Sequence, residues 1–277
     1  MTMTRRQALG AGAASAAIAF VAPAAATEAE PFARAVDEGL AYFRRRAEEQ
    51  RALARALTEA VAARDLPRAR TAYVAARPPY EEIEVLAASF PERDADIDAR
   101  PYAFAGGDTD PDFKGFHKVE GLIFRDEDLD AARPVAQGLE GSLEELVRDL
   151  ATRENFSAKK TFEGLQALAN EIGAKKISSE EETWSDRSLL IFRYNLVGID
   201  SQFRPFAAAL AAKNAAAADG VARAYRQAAA AVDAVYGSEP GGRPYSSVRV
   251  AERRAVVQGA YAYRDALAKA GETLGLG

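Results

Sequence analysis

Leu189, Phe192, Leu196, Ile199, Phe203, Phe206 and Leu210 recur at alternating three- and four-residue steps. That spacing keeps one apolar stripe on one helix face over several turns and marks a bundle seam. No stretch alternates β-branched residues with period two, so a sheet of any consequence is excluded. The same helical stepping runs through Phe32, Val36, Leu40, Phe43, Ala47, Ala54, Leu57 and Val61, and then through Ala69, Tyr73, Ala76, Tyr80, Ile83 and Leu86. Asp65-Leu66-Pro67 separates the two as a cap followed by a first-turn proline. Pro78-Pro79 predicts a kink just ahead of Tyr80. Periodicity lapses between Pro91 and Asp110, where a long loop is expected. Further helices are expected from Asp110-Pro111 through His117 to Phe124, from Val135 to Leu150, from Ala158 to Lys175, from Asp219 to Tyr236 and from Val250 to Leu274. The fold class is therefore all-α, a helical bundle.

Residues 1–26 carry Arg5-Arg6, a mildly apolar Ala/Gly run through Ile18, Phe20 and Val21, and Ala24-Ala25-Ala26. A basic start, an apolar middle and a small-residue cleavage site read as a cleaved export signal, with the arginine pair pointing to the twin-arginine route. The expected mature domain is then 27–277, outside the cytoplasm and in a periplasm-like compartment. The full chain carries a formal net charge of -5, and losing Arg5 and Arg6 makes it more acidic. An acidic chain without a basic aromatic patch argues against nucleic acid as a partner. With no cysteine in the sequence there is no disulfide, thiolate ligand or cysteine nucleophile.

His117 is the sole histidine. Glu120 follows it at i+3, so on a helix the imidazole and the carboxylate share a face. Glu81 and Glu84 stand at the same spacing on a second helix, with Ile83 and Leu86 marking the buried side. In helix bundles, metals are held by such carboxylates and histidines projecting inward from facing helices. Asp94, Asp96 and Asp98, and the run Glu180-Glu181-Glu182, could add oxygen ligands. Acidic groups crowded together repel one another unless a cation sits among them.

Five motifs arrive in order: Tyr73-Val74-Ala75-Ala76-Arg77, Tyr80-Glu81-Glu82-Ile83-Glu84, Asp96-Ile97-Asp98-Ala99-Arg100, Asp110 through Glu120, and Lys176-Ile177-Ser178-Ser179-Glu180-Glu181. Together they resemble the imelysin-like domain of EfeO-type periplasmic iron-uptake components, over about residues 31 to 275. The resemblance implies two packed four-helix bundles with a metal-binding cleft, in the short form that lacks a cupredoxin-like domain. By position it carries metal ligation to Glu81, Glu84, Asp98, His117, Glu120 and Glu181. Ser179, Val85 and Ser185 to Ser188 depart from the family pattern. The implied cargo is iron, ferrous or ferric, with Zn2+ or Cu2+ as alternatives, since carboxylates suit ferric ion while an imidazole also suits the softer ions. The implied partners are an inner-membrane iron permease and a periplasmic haem peroxidase.

Two rival readings belong to other classes. A metallopeptidase would use His-x-x-Glu as part of the His-x-x-Glu-His pattern. Here Gly121 follows Glu120 and no second histidine exists, so a two-His zinc site cannot be assembled. A polysaccharide-binding protein would need an aromatic groove, for which Tyr102, Phe104, Trp184 and Tyr245 are the candidates.

Overall fold

The computed structural model describes residues 32–178 and 181–277. The expected export signal, and Ser179 and Glu180, lie outside the described residues. Ten α-helices run as α1 (Ala33–Ala62), α2 (Leu66–Ile83), α3 (Pro91–Asp98), α4 (Gly115–Glu120), α5 (Leu129–Asp149), α6 (Ala158–Ala174), α7 (Ser188–Phe203), α8 (Ala207–Lys213), α9 (Ala215–Tyr236) and α10 (Val250–Leu274), and no strand occurs among the described residues. Side-chain caps fix several starts. The carboxylates of Asp65 and Asp128 accept the N–H groups of Arg68 and Ala131, and Ser157 and Asn214 do the same for Lys160 and Ala217.

Helix α1 packs along both α2 and α5, with α4 against α5. Helices α6, α7, α9 and α10 form a second group of four. The groups meet where α2 lies along α7 and where the 3-10 turn Glu84–Ser89 rests on α6. Both approaches are very close. A Cβ at Gly198 of α7 would fall 2.4 Å from the Glu82 carbonyl oxygen, and one at Gly164 of α6 would fall 1.9 Å from that of Val85. Only glycine lets the backbones meet at these distances.

The structure differs from the sequence expectation in six places, each with a local cause. Pro91 to Asp98 is a helix, α3, with Pro91 in its first turn. Of its eight residues only Ile97 and Asp98 are buried, too few to print a periodic stripe. Asp110-Pro111 opens no helix, because the Asp110 carboxylate accepts the N–H groups of Gly106 and Asp112 and closes a loop. Helix α4 starts later, at Gly115, whose φ of 80° and approach to the Ile97 carbonyl exclude a side chain. Helix α5 starts earlier than Val135, at the Asp128 cap, and α9 starts earlier than Asp219, at the Asn214 cap. The seam from Leu189 breaks at Arg204–Phe206, where Pro205 has no N–H to donate. Helix α2 itself continues past Pro78 and Pro79 to Ile83, and the departure from helical backbone falls at Leu86, with φ -108° and ψ 17°.

Candidate metal centre

The six residues singled out from the sequence gather at the meeting of the two bundles. Glu81 comes from the end of α2, Glu84 from the 3-10 turn that follows it, Asp98 from the end of α3, His117 and Glu120 from α4, and Glu181 from the segment before α7. Glu81, Asp98, His117, Glu120 and Glu181 are all buried, and the Glu84 side chain is 10% exposed. Tyr73, Ala76, Tyr80 and Ile83 on α2 are buried with them. The apolar stripe that predicted the helix is therefore the wall of the cluster.

Three basic side chains lie inside the cluster. Arg77, fully buried, donates to Asp98 Oδ1 at 2.7 Å and stands 2.6 Å from Glu81 Oε1 and 2.8 Å from Glu182 Oε1. Its guanidinium stacks on Phe116, 4.6 Å from the ring centre. Arg100 bridges Asp98 and both carboxylate oxygens of Glu181. Lys176 donates to Glu84 at 2.9 and 2.8 Å and to Glu181 at 3.1 Å, and lies 3.8 Å from Glu81. The positive charge that such crowding demands is thus supplied by the chain itself.

Neutral groups hold the rest. The Asn195 amide on α7 donates to Glu81 Oε2 at 3.0 Å and to Glu84 Oε2 at 2.9 Å. Glu120 Oε1 accepts the N–H groups of Trp184 and Ser185, and Glu120 Oε2 faces His117 Nδ1 at 3.3 Å. Tyr73 and Ser185 donate to Glu182. Asp94 pairs with the Tyr80 hydroxyl, and Asp96, nearer the surface, pairs with Arg93 and Lys114. Neither contributes to the central group.

Burial and neighbours drive the carboxylates apart in acidity. Burial works to raise Asp98, but Arg100 and Arg77 outweigh it and hold the group well below the usual range. Glu181 follows the same logic, with Arg100 and Lys176 bringing it down to about 2. For Glu81 burial wins, and its carboxyl is raised well above the usual value despite Arg77. Glu182 is raised to about 7 by burial and by Glu120. Asp94 is raised to about 7 by burial and by Asp98. For His117 burial and Arg100 work downward, but the bonds to Asp98 and Glu120 prevail and raise it. Groups of one chemical type are thus split by their surroundings.

Among the described residues, no three or more His, Asp or Glu side chains stand ready-spaced as metal ligands round one point. The donor set nonetheless fits a cation. Among the described residues Asn195 Oδ1 is buried without a hydrogen-bond partner, and His117 Nε2, also buried, stands at the edge of hydrogen-bond reach of Asp98 Oδ1, at 3.5 Å. Buried polar atoms are rarely left so.

A cleft of about 870 Å³ opens beside the cluster, lined by Tyr42, Arg46, Pro78, Pro79, Glu82 and Tyr194 among others. Glu82 faces it, bonded to Tyr42 and Arg46, while its neighbour Glu81 faces the interior. The aromatic groove expected from the sequence does not form from its four candidates: Tyr245 is buried and Tyr102 is 67% exposed.

The sequence reading does not single out Arg77, Arg100, Lys176, Ser185 or Asn195 as site residues, whereas Glu182 stands in the acidic run named as a source of oxygen ligands. For Arg77 a signal existed, since it lies four residues after Tyr73 on the stripe of buried positions. Asn195, three residues after Phe192 and one before Leu196 inside the apolar seam, was equally visible.

The fold and the junction together define an all-α double bundle built round a buried ionic cluster. Residues 39–274 match the family model described as Imelysin, and the chain belongs to that family. The iron uptake system component EfeO of Yersinia pseudotuberculosis serotype I (strain IP32953) is 38% identical over 144 residues, covering 52% of this chain and 38% of that protein. The component of the same name from Escherichia coli (strain K12) is 32% identical over 150 residues, with the same coverage. The chain thus spans well under half the length of these relatives. A crystal structure of a protein described as an iron-regulated protein A precursor, from Parabacteroides distasonis ATCC 8503, superposes with a TM-score of 0.69 over 90% of this chain and 97% of that one, at 15% identity. That likeness concerns the fold.

Proposed function

We propose that this chain captures iron as cargo outside the cytoplasm, as a component of an uptake system, and acts as a binding protein and not as an enzyme. The ligands in this reading are Glu81, Glu84, Asp98, His117, Glu120 and Glu181. The observation that carries it is their convergence from separate helices and turns onto one buried junction. The names of the EfeO relatives support iron over zinc or copper. No described helix is long and apolar enough to cross a membrane, so delivery would pass to a separate permease. A periplasmic haem peroxidase is the other partner in this reading.

Capture would require the acidic groups to exchange their bonds to Arg77, Arg100 or Lys176 for bonds to the ion. An ion that binds only the folded chain raises the melting temperature in proportion to occupancy. The test is elemental analysis and thermal melting of untagged protein, alone and with iron(II), iron(III), zinc or copper, beside the His117→Ala, Glu120→Ala double variant. Iron that co-purifies, raises the melting point and is lost in the double variant is the expected result. Melting unmoved by any of these ions at neutral pH overturns the reading.

A further inference from the structure

Lys176 is the one cation of the cluster enclosed on several sides by carboxylates alone. Its ammonium has three N–H groups and meets four oxygens: both of Glu84 at 2.9 and 2.8 Å, Glu181 Oε2 at 3.1 Å and Glu81 Oε2 at 3.8 Å. Asn195 closes the group from α7. Its Nδ2 is committed to Glu81 and Glu84, while its Oδ1, on a side chain with no exposed surface, has no partner among the described residues. Three carboxylates drawn round one small positive centre, with an amide bracing two of them, is the donor set of a hard divalent cation. The oxygens bonded to the ammonium stand at ammonium distance, wider than the ~2.0–2.6 Å at which a bound Mg2+ or Ca2+ would draw them in.

We propose that Lys176 is an internal stand-in for the cargo: its ammonium sits in a cation seat made by Glu81, Glu84 and Glu181, two of them braced by Asn195, and an oxygen-preferring divalent ion binds by displacing it. This rests on the reading of the junction as a metal-capture site and adds which charge must leave. Arg77 is held from the middle of α2 by three carboxylates and by stacking on Phe116, so it is poorly placed to depart. Lys176 hangs by a flexible stem from the short turn Lys176–Ser178 that follows α6. One ammonium brings one charge to the seat and a divalent ion brings two, so exchange is favoured once the ion has shed its water. The lysine then acts as a threshold. It keeps the metal-free cluster neutralised and weakens binding by the strength of its own bonds to the carboxylates.

The experiment is a manganese(II) titration followed by the loss of the free-ion EPR signal, on the wild-type chain and on Lys176→Met. The variant is expected to bind at least tenfold more tightly, and its metal-free melting point to fall and be restored by the ion. A second variant, Lys176→Met with Glu84→Gln, removes one charge of each sign and keeps the metal-free cluster balanced should the single variant fail to fold. It too should bind more tightly than wild type. Wild-type binding with no gain in either variant, or with a loss, overturns the stand-in role and leaves metal capture intact. Binding in none of the three overturns the stand-in role, and metal capture falls with it when iron, zinc and copper also leave the melting point unmoved.

Discussion

Glu120 Oε1 accepts the backbone N–H of Ser185 at 2.8 Å, and through this bond α4 of the first bundle holds the segment that leads into the second. The same oxygen takes the N–H of Trp184 at 2.9 Å. Glu120 is thus a structural clamp as well as a candidate ligand, and the two roles separate by substitution. Glu120→Gln keeps an acceptor for both N–H groups, whereas Glu120→Ala leaves two buried donors without one, at about 1–3 kcal/mol each. Urea unfolding should show the alanine variant several-fold more destabilised than the glutamine variant. Equal losses would mean the clamp contributes nothing.

The split acidities set the pH dependence of the metal-free protein. Glu181, held near 2 when folded against an ordinary 4.5, contributes stability that is complete above the ordinary value and is lost as pH falls toward 2. Glu182 and Asp94, raised to about 7, act with the opposite sign, since the folded chain binds their protons more tightly than the unfolded chain. Their contribution is complete below the ordinary carboxylate range and disappears as pH rises through 7. From these groups stability should therefore peak at about pH 4–5 and fall from there through pH 7, with the melting point lower at pH 8 than at pH 6. Glu182→Gln should flatten the alkaline side. A wild-type profile that is level from pH 6 to pH 8 would contradict these assignments.

Gly198 decides how closely α7 can approach α2, since a Cβ there would stand 2.4 Å from the Glu82 carbonyl. No side-chain rotation relieves a clash with backbone, so Gly198→Ala must push the helices apart and move Asn195 off Glu81 and Glu84. A cost of about 1–3 kcal/mol is expected from overpacking, together with weaker metal binding than at Gly138→Ala, where a Cβ meets nothing within 4 Å. Melting and ion titration of the two variants check both halves.

The helical order, the seam on α7 and the acidic residues of the junction were legible because each leaves a mark in one segment: a period, a cap, or two acids three residues apart. What drew those segments together left no such mark. Lys176 and Arg100 look like ordinary surface charges in a chain where basic residues alternate with acids everywhere, and only its place on the buried stripe of α2 sets Arg77 apart. Their burial follows from the meeting of α2, α3, α4 and the 176–188 segment, which is a tertiary fact. Helix α3 was missed for a related reason: its acidic and basic residues face Lys114, Glu145 and Asp149, and ion pairs with those groups do the holding that an apolar stripe does elsewhere.

Arg77 gives the sharpest energetic test. Its three nitrogens stand 2.6 to 2.8 Å from Glu81, Asp98 and Glu182, and no part of the side chain reaches solvent. Removing one member of a buried ionic group leaves uncompensated charge and costs about 3–5 kcal/mol, so Arg77→Met should lower stability by that order at pH 8. The sign of its pH dependence follows. Without the guanidinium, Asp98 loses one of the two arginines that hold its carboxyl down and Glu182 loses its arginine, so these groups take up protons in the folded state and recover neutrality as pH falls. The stability gap between Arg77→Met and wild type should shrink from pH 8 to pH 5.5, measured by urea unfolding at both. Arg77→Lys should recover only part of the loss, since one ammonium cannot serve three carboxylates from three directions. A gap that is the same at both pH values, or full recovery by lysine, would show that Arg77 acts through packing on Phe116 and not as the counter-ion of the cluster.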